Sequence, residues 1–115
     1  MTIGRRYDPD TYNCVDFVWE QLAAAGLPAP HIDQCKTVPG FFRALRKHWQ
    51  PAAWPPRDYD LVVMVSCRQW HLGVWRAGRV WHCLDQAQAT DYGTIKAMYP
   101  RVEFYRHVSD HCPAL

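Results

Sequence analysis

The chain has 115 residues and a mass of 13.4 kDa, with 49% hydrophobic and 21% charged side chains. That suffices for one domain, spanning 1–115, whose core removes roughly two-thirds of the unfolded chain's surface from water. Thirteen basic and 11 acidic side chains leave a formal charge of +2, so a broad electropositive footprint for nucleic acid is excluded and no acidic partner is implied.

In chain order, the polar lead MTIGRRYDPDTYN carries two arginines but no apolar core, so neither a signal peptide nor a transit peptide is expected. From Asn13 to Ala25 the pattern predicts a helix, with Asn13 as N-cap, Gly26 just past the end, and Pro28 and Pro30 blocking continuation. A second helix is predicted over 40–48, where Phe41, Leu45 and Trp49 recur at four-residue spacing. The segment Gln50 to Asp58 holds three prolines around Trp54 and is expected to be a loop. Leu61 to Val65 reads as a strand buried on both faces, and it is far too short to cross a bilayer. His71 to Arg76 and Arg79 to Leu84 flank Ala77-Gly78 and form a hairpin. Asp85 to Gly93 is loop-like, Thr94 to Met98 one helical turn, and Val102 to Arg106 a last strand. Helices first and an antiparallel sheet after them make an α+β fold.

Five cysteines and six histidines are many for this length. An odd cysteine count cannot close completely into internal disulfides, and Cys14, Cys35, Cys67, Cys83 and Cys112 form no CxxC pair, which argues against a secreted disulfide scaffold. Cys14 follows the cap of the first helix, where free amides and the helix dipole favour a thiolate and are expected to lower its pKa. The rival reading is a small apolar residue packed at a helix start. If Arg76 and Arg79 flank a two-residue turn, Gly73 lies opposite His82 and Trp75 opposite Val80. His71 and His82 are then diagonal neighbours on one face, and Cys83 points to the other with Leu72 and Val74. A bulge at Gly78 would exchange His82 for Cys83 on that face. A helix-start thiol with two adjacent imidazoles supplies a nucleophile, a base and an orienting group.

With these residues in view, the order YNCVDFVWEQL, DYDLVVM, HLGVW, a short turn and GRVWH resembles the NlpC-type papain-like cysteine peptidases, from about Tyr12 to Arg106. Members cleave peptide bonds in the stem peptides of bacterial peptidoglycan, and the chain looks most similar to the short versions carried by tailed bacteriophages. The resemblance implies a papain-like fold with N-terminal helices packed on a small antiparallel sheet. It implies Cys14 as nucleophile, His71 as general base and His82 as third polar residue. The Cys14 amide, on a helix capped by Asn13, would be an oxyanion donor, and Asp16, Trp70 and Gly73 would lie on the substrate side. It implies no cofactor and no metal. Implied partners are a peptidoglycan stem peptide and a larger tail assembly, with neither nucleic acid nor membrane insertion. Implied locations are the cytoplasm of the producing cell and then the virion tail. The chain departs from the family pattern in having Asn13 before the cysteine and Asp16-Phe17 after Val15, where the family commonly has Asp before the cysteine and Ser-Gly at the later pair.

Three other readings stand beside this one. Cys67 with His71, His31 with Cys35, and His107-His111-Cys112 offer zinc or iron-sulfur ligands, although no two pairs have finger-like spacing. A second reading is an inactive docking component of a tail, with Trp49, Trp54, Trp70 and Trp75 as an interface patch rather than core. Acyl transfer uses the same thioester chemistry, but relatives that perform it usually place histidine before cysteine. Cys35, Cys83 and Cys112 are read as packing residues, and Cys67 has no assigned role outside the metal reading.

Overall fold

The computed structural model describes residues 3–8, 13–27, 49–66 and 70–107. The predicted helix over 40–48 therefore lies outside the described residues, as do Cys35, Cys67 and Cys112.

Helix α1 spans Cys14–Ala24. Its start is fixed locally, because the Asn13 carboxamide oxygen accepts from the amides of Val15 at 2.9 Å and Asp16 at 3.1 Å. The Asp16 carboxylate in turn accepts from the Asn13 amide at 3.0 Å, which closes a capping box. The end is equally local: Gly26 takes φ +74°, the left-handed conformation in which a Cβ is penalised.

Six strands form one antiparallel sheet: β1 Trp49–Ala52, β2 Leu61–Val65, β3 Trp70–Arg76, β4 Arg79–Cys83, β5 Ala87–Asp91 and β6 Arg101–His107, in the order β1-β6-β2-β3-β4-β5. A short helix, α2, spans Tyr92–Met98 between β5 and β6. The molecule is thus α+β, as its sequence order implies, with a larger sheet than expected.

Two predicted loops contain strands. Trp49–Ala52 pairs with β6 despite Pro51, which faces Tyr105. A proline is tolerated there because, among the described residues, β1 ends the strand order and pairs on one side only. Ala87–Asp91, within the stretch read as loop, pairs with β4 throughout its length. Its sequence AQATD has little β-branched content, so the neighbouring strand rather than propensity sets its conformation. The N-terminal lead runs along the start of β5, with Gly4 donating to Ala87 and Ala87 donating to Arg5, both at 2.7 Å.

Side-chain alternation separates the core into two faces. On one, α1 presents Val15, Val18 and Leu22 to Leu61, Val63, Leu72 and Val74. On the other, Val62, Met64 and Val80 meet Ile95 of α2, Tyr99 and Phe104. Strand β2 feeds both layers, and its first four residues are buried. At the sheet margin Arg106 of β6 grips Asp60 through two hydrogen bonds, 3.0 Å from Nε and 2.7 Å from Nη2. Among the described residues, no helix is long and apolar enough to cross a membrane.

Candidate active site

The β3–β4 hairpin has the register its turn demands. Arg76 faces Arg79, Trp75 faces Val80 and Gly73 faces His82. Ala77 and Gly78 both take positive φ, +52° and +74°, which matches the right-handed twist of the two strands. The Asp58 carboxylate helps hold the unfavourable alanine by accepting its amide at 3.0 Å. No bulge intervenes, so His82 and not Cys83 shares the face of His71.

Gly73 is required by the close approach of β4 rather than by conformation. A Cβ there would stand 2.9 Å from the Trp81 carbonyl oxygen and 3.2 Å from the His82 Cβ. Its absence lets the two imidazoles meet: His71 Nε2 and His82 Nδ1 are 2.9 Å apart, and the rings lie edge to face at 76°. The other nitrogen of His82, Nε2, is 2.8 Å from the hydroxyl of Thr90 on β5. Tyr99 lies parallel to the His71 ring at a centroid distance of 6.1 Å. Burial is nearly complete, with His71 7% and His82 1% exposed.

The thiol belongs to the other layer. His71 pairs with Met64 and projects on the α2 face of the sheet, whereas Cys14 belongs to the layer beneath α1. Trp75 donates to Asp60 and accepts from Tyr59, so odd-numbered residues of β3 bond toward β2 and even-numbered ones toward β4. Pairing with β4 stops at Gly73 and His82, one residue short of Leu72 and Cys83. Leu72, the residue after His71, packs with Cys14 in the layer beneath α1. The amides of Leu72, Cys14 and Val15 each work to lower the Cys14 pKa.

The electrostatics correct one expectation. The thiol pKa is raised, not lowered, because burial outweighs the three amide donors and the nearby Asp16 charge adds to the rise. His71 is pushed down to about 3, by burial first and by His82 second. His82 is pushed down to about 4 by burial, against the pull of Asp85. At neutral pH the site holds a thiol and two neutral imidazoles, not a thiolate–imidazolium pair.

Asn13 acts as the helix cap, and its carboxamide oxygen is occupied by two amides. The Asp16 carboxylate accepts the Asn13 amide, so the charge expected on the substrate side is engaged in capping. Trp70 opens β3 and is 45% exposed. Of the tryptophans considered for an interface, Trp49 is buried and Trp54 is exposed, lying over Trp75, Tyr92 and Phe104. Cys83 packs with Phe17 and Ala87 as a free thiol pushed up to about 11 by burial. Among the described residues no group of three or more histidine, cysteine or acidic side chains is arranged to hold a metal.

Sequence reasoning missed Thr90 and Tyr99. Thr90 lay in a segment read as loop, and only the pairing of Val80 with Thr90 brings it to the His82 face. No protein-family model matches the chain, and no curated protein and no solved structure matches it significantly.

Proposed function

We propose that this protein is a cysteine hydrolase of the NlpC type, cleaving peptide bonds in peptidoglycan stem peptides as a component of a bacteriophage tail. The observation that carries the chemistry is a buried imidazole hydrogen-bonded to a second on β3 and β4, with the capped start of α1 and its Cys14 thiol packed against β3. The substrate and the tail setting rest on the sequence resemblance.

With both partners neutral at rest, attack is general-base catalysed. His71 Nδ1 takes the thiol proton as Cys14 Sγ bonds to the scissile carbonyl carbon. The tetrahedral adduct collapses, the C–N bond breaks, and the imidazolium returns its proton to the departing amine. A water molecule then gives its proton to His71 while its oxygen attacks the thioester, and the thiol leaves reprotonated. The Cys14 amide, at the first helical position, lacks an intrahelical acceptor and is available to the oxyanion. Keeping the ground state uncharged suits a site this dry, where an isolated ion is costly.

The test is incubation of the purified protein with peptidoglycan sacculi, with mass spectrometry of the released fragments and of the cysteine labelled by a thiol-directed probe. Wild type is expected to release stem-peptide fragments and to label at Cys14, and Cys14→Ala to lose both. Cleavage unchanged in Cys14→Ala would overturn the hydrolase reading. Labelling at Cys14 with no fragment released, by the protein alone or in isolated tails, would overturn the substrate assignment and favour a docking role.

A further inference from the structure

Thr90 lies two hydrogen bonds from His71, at a point where the direction of a proton chain is decided. The chain has two possible polarities. In one, His71 Nε2–H donates to His82 Nδ1, and His82 Nε2–H donates to the Thr90 hydroxyl oxygen, across the observed 2.9 Å and 2.8 Å. In the other every bond is reversed, and His71 carries its proton on Nδ1.

Only the first polarity leaves a lone pair on His71 Nδ1, the nitrogen that does not face His82. Only the first also survives proton transfer unchanged, because an imidazolium at His71 keeps donating through Nε2. In the reverse polarity that step would set two N–H groups against each other in a buried space, a loss of the kind that makes unmade hydrogen bonds expensive. We propose that Thr90 is a positioning residue which, by accepting from His82 Nε2, fixes the tautomers of both histidines and keeps His71 Nδ1 free to take the Cys14 proton.

This rests on the hydrolase reading for its catalytic consequence but not for its structural content. A carboxylate or amide acceptor does comparable work in other triads, where the wrong histidine tautomer is severely damaging. A hydroxyl is a weaker determinant, since it donates as readily as it accepts. The position of Thr90 on β5 supplies the reach, and the proton transfer at His71 selects the polarity. Thr90 pairs with Val80, two residues from His82, so its side chain rises on the same face as the imidazole.

The experiment has two arms on the whole protein. Nitrogen-15 NMR of the imidazoles near neutral pH is expected to show His82 as the Nε2–H tautomer in wild type and in Thr90→Ser, and a shift toward Nδ1–H in Thr90→Val. Cleavage kinetics are expected to show kcat falling 10- to 100-fold in Thr90→Val with KM little changed, and recovery in Thr90→Ser. Thr90→Val retains the β-branched shape, and its amide spectrum against wild type separates misfolding from a tautomer change. His82 found as Nδ1–H in folded wild type, or unchanged in folded Thr90→Val, would overturn the proposal whatever the activity. Absence of any cleavage by wild type would instead overturn the hydrolase reading and leave the tautomer result standing.

Discussion

At the scale of single residues, the site is governed by burial more than by the helix dipole. Position in the sequence identifies Cys14 as a helix-start thiol, and the dipole argument then points to a lowered pKa. The folded chain buries it with Val18, Leu72 and Val74 beneath α1, and desolvation reverses the sign. This gives a pH signature. With the thiol raised and His71 pushed down to about 3, the alkylation rate of Cys14 should climb about tenfold per pH unit from pH 6 to 9, with no acid plateau. Rates of iodoacetamide modification, with the site read by mass spectrometry, check this, and a plateau near pH 5 would reveal an ion pair instead. Hydrolysis should retain its base down to about pH 4 wherever the fold persists. Persistence is itself linked to the same groups. Both histidines have folded pKa values below 6.5, so the unfolded chain binds more protons between that value and about 3. Their contribution to stability is complete above pH 6.5 and is lost as pH falls toward the folded values.

At the scale of elements, the hairpin was the most legible part of the chain. The dipeptide Ala77-Gly78 between two alternating runs fixed the register, and register placed His71 and His82 together on one face. What the register left out was the 2.9 Å contact and its extension to Thr90, since these depend on β4 pairing with β5. Strand β5 is a polar AQATD segment beside a β4 that already holds its own ladder, and no local signal distinguished it from loop. Pro51 hid β1 for a related reason, because a proline marks an edge strand and a loop alike. The turn also carries a prediction. Ala77 occupies φ +52° with a Cβ that disfavours it, so Ala77→Gly should stabilise the protein by about 1 kcal/mol. Urea unfolding at unchanged m-value measures the gain, and a loss would mean that the greater freedom of glycine in the unfolded chain outweighs the relieved backbone strain.

At the scale of the whole molecule, the sheet is joined to its approach segment by a buried ion pair distant in sequence. Arg106 and Asp60 are 10% and 1% exposed at the side chain and 2.7 Å apart, and the Asp60 carboxylate also accepts the Arg57 amide at 2.8 Å. Arg106→Met leaves that carboxylate buried without its cation, at a cost of about 3–5 kcal/mol. Denaturant midpoints should show that loss, and adding Asp60→Asn to Arg106→Met should recover part of it. The same β2–β6 pairing closes the core under Tyr99, whose ring lies along His71. A destabilised Arg106→Met is therefore expected to loosen the site as well as the fold.

By itself the sequence determined whatever is decided within one turn of chain: the capped start of α1 at Cys14, its glycine end, the hairpin register, and the sharing of one face by two histidines. Those features need only neighbouring φ/ψ preferences and strand alternation. The tertiary structure alone decided that the two imidazoles meet at 2.9 Å, that burial raises the pKa of the thiol, and that Thr90 ends the histidine chain. Each of these depends on the approach of residues on different elements and on the exclusion of water between them, and neither is encoded in local spacing.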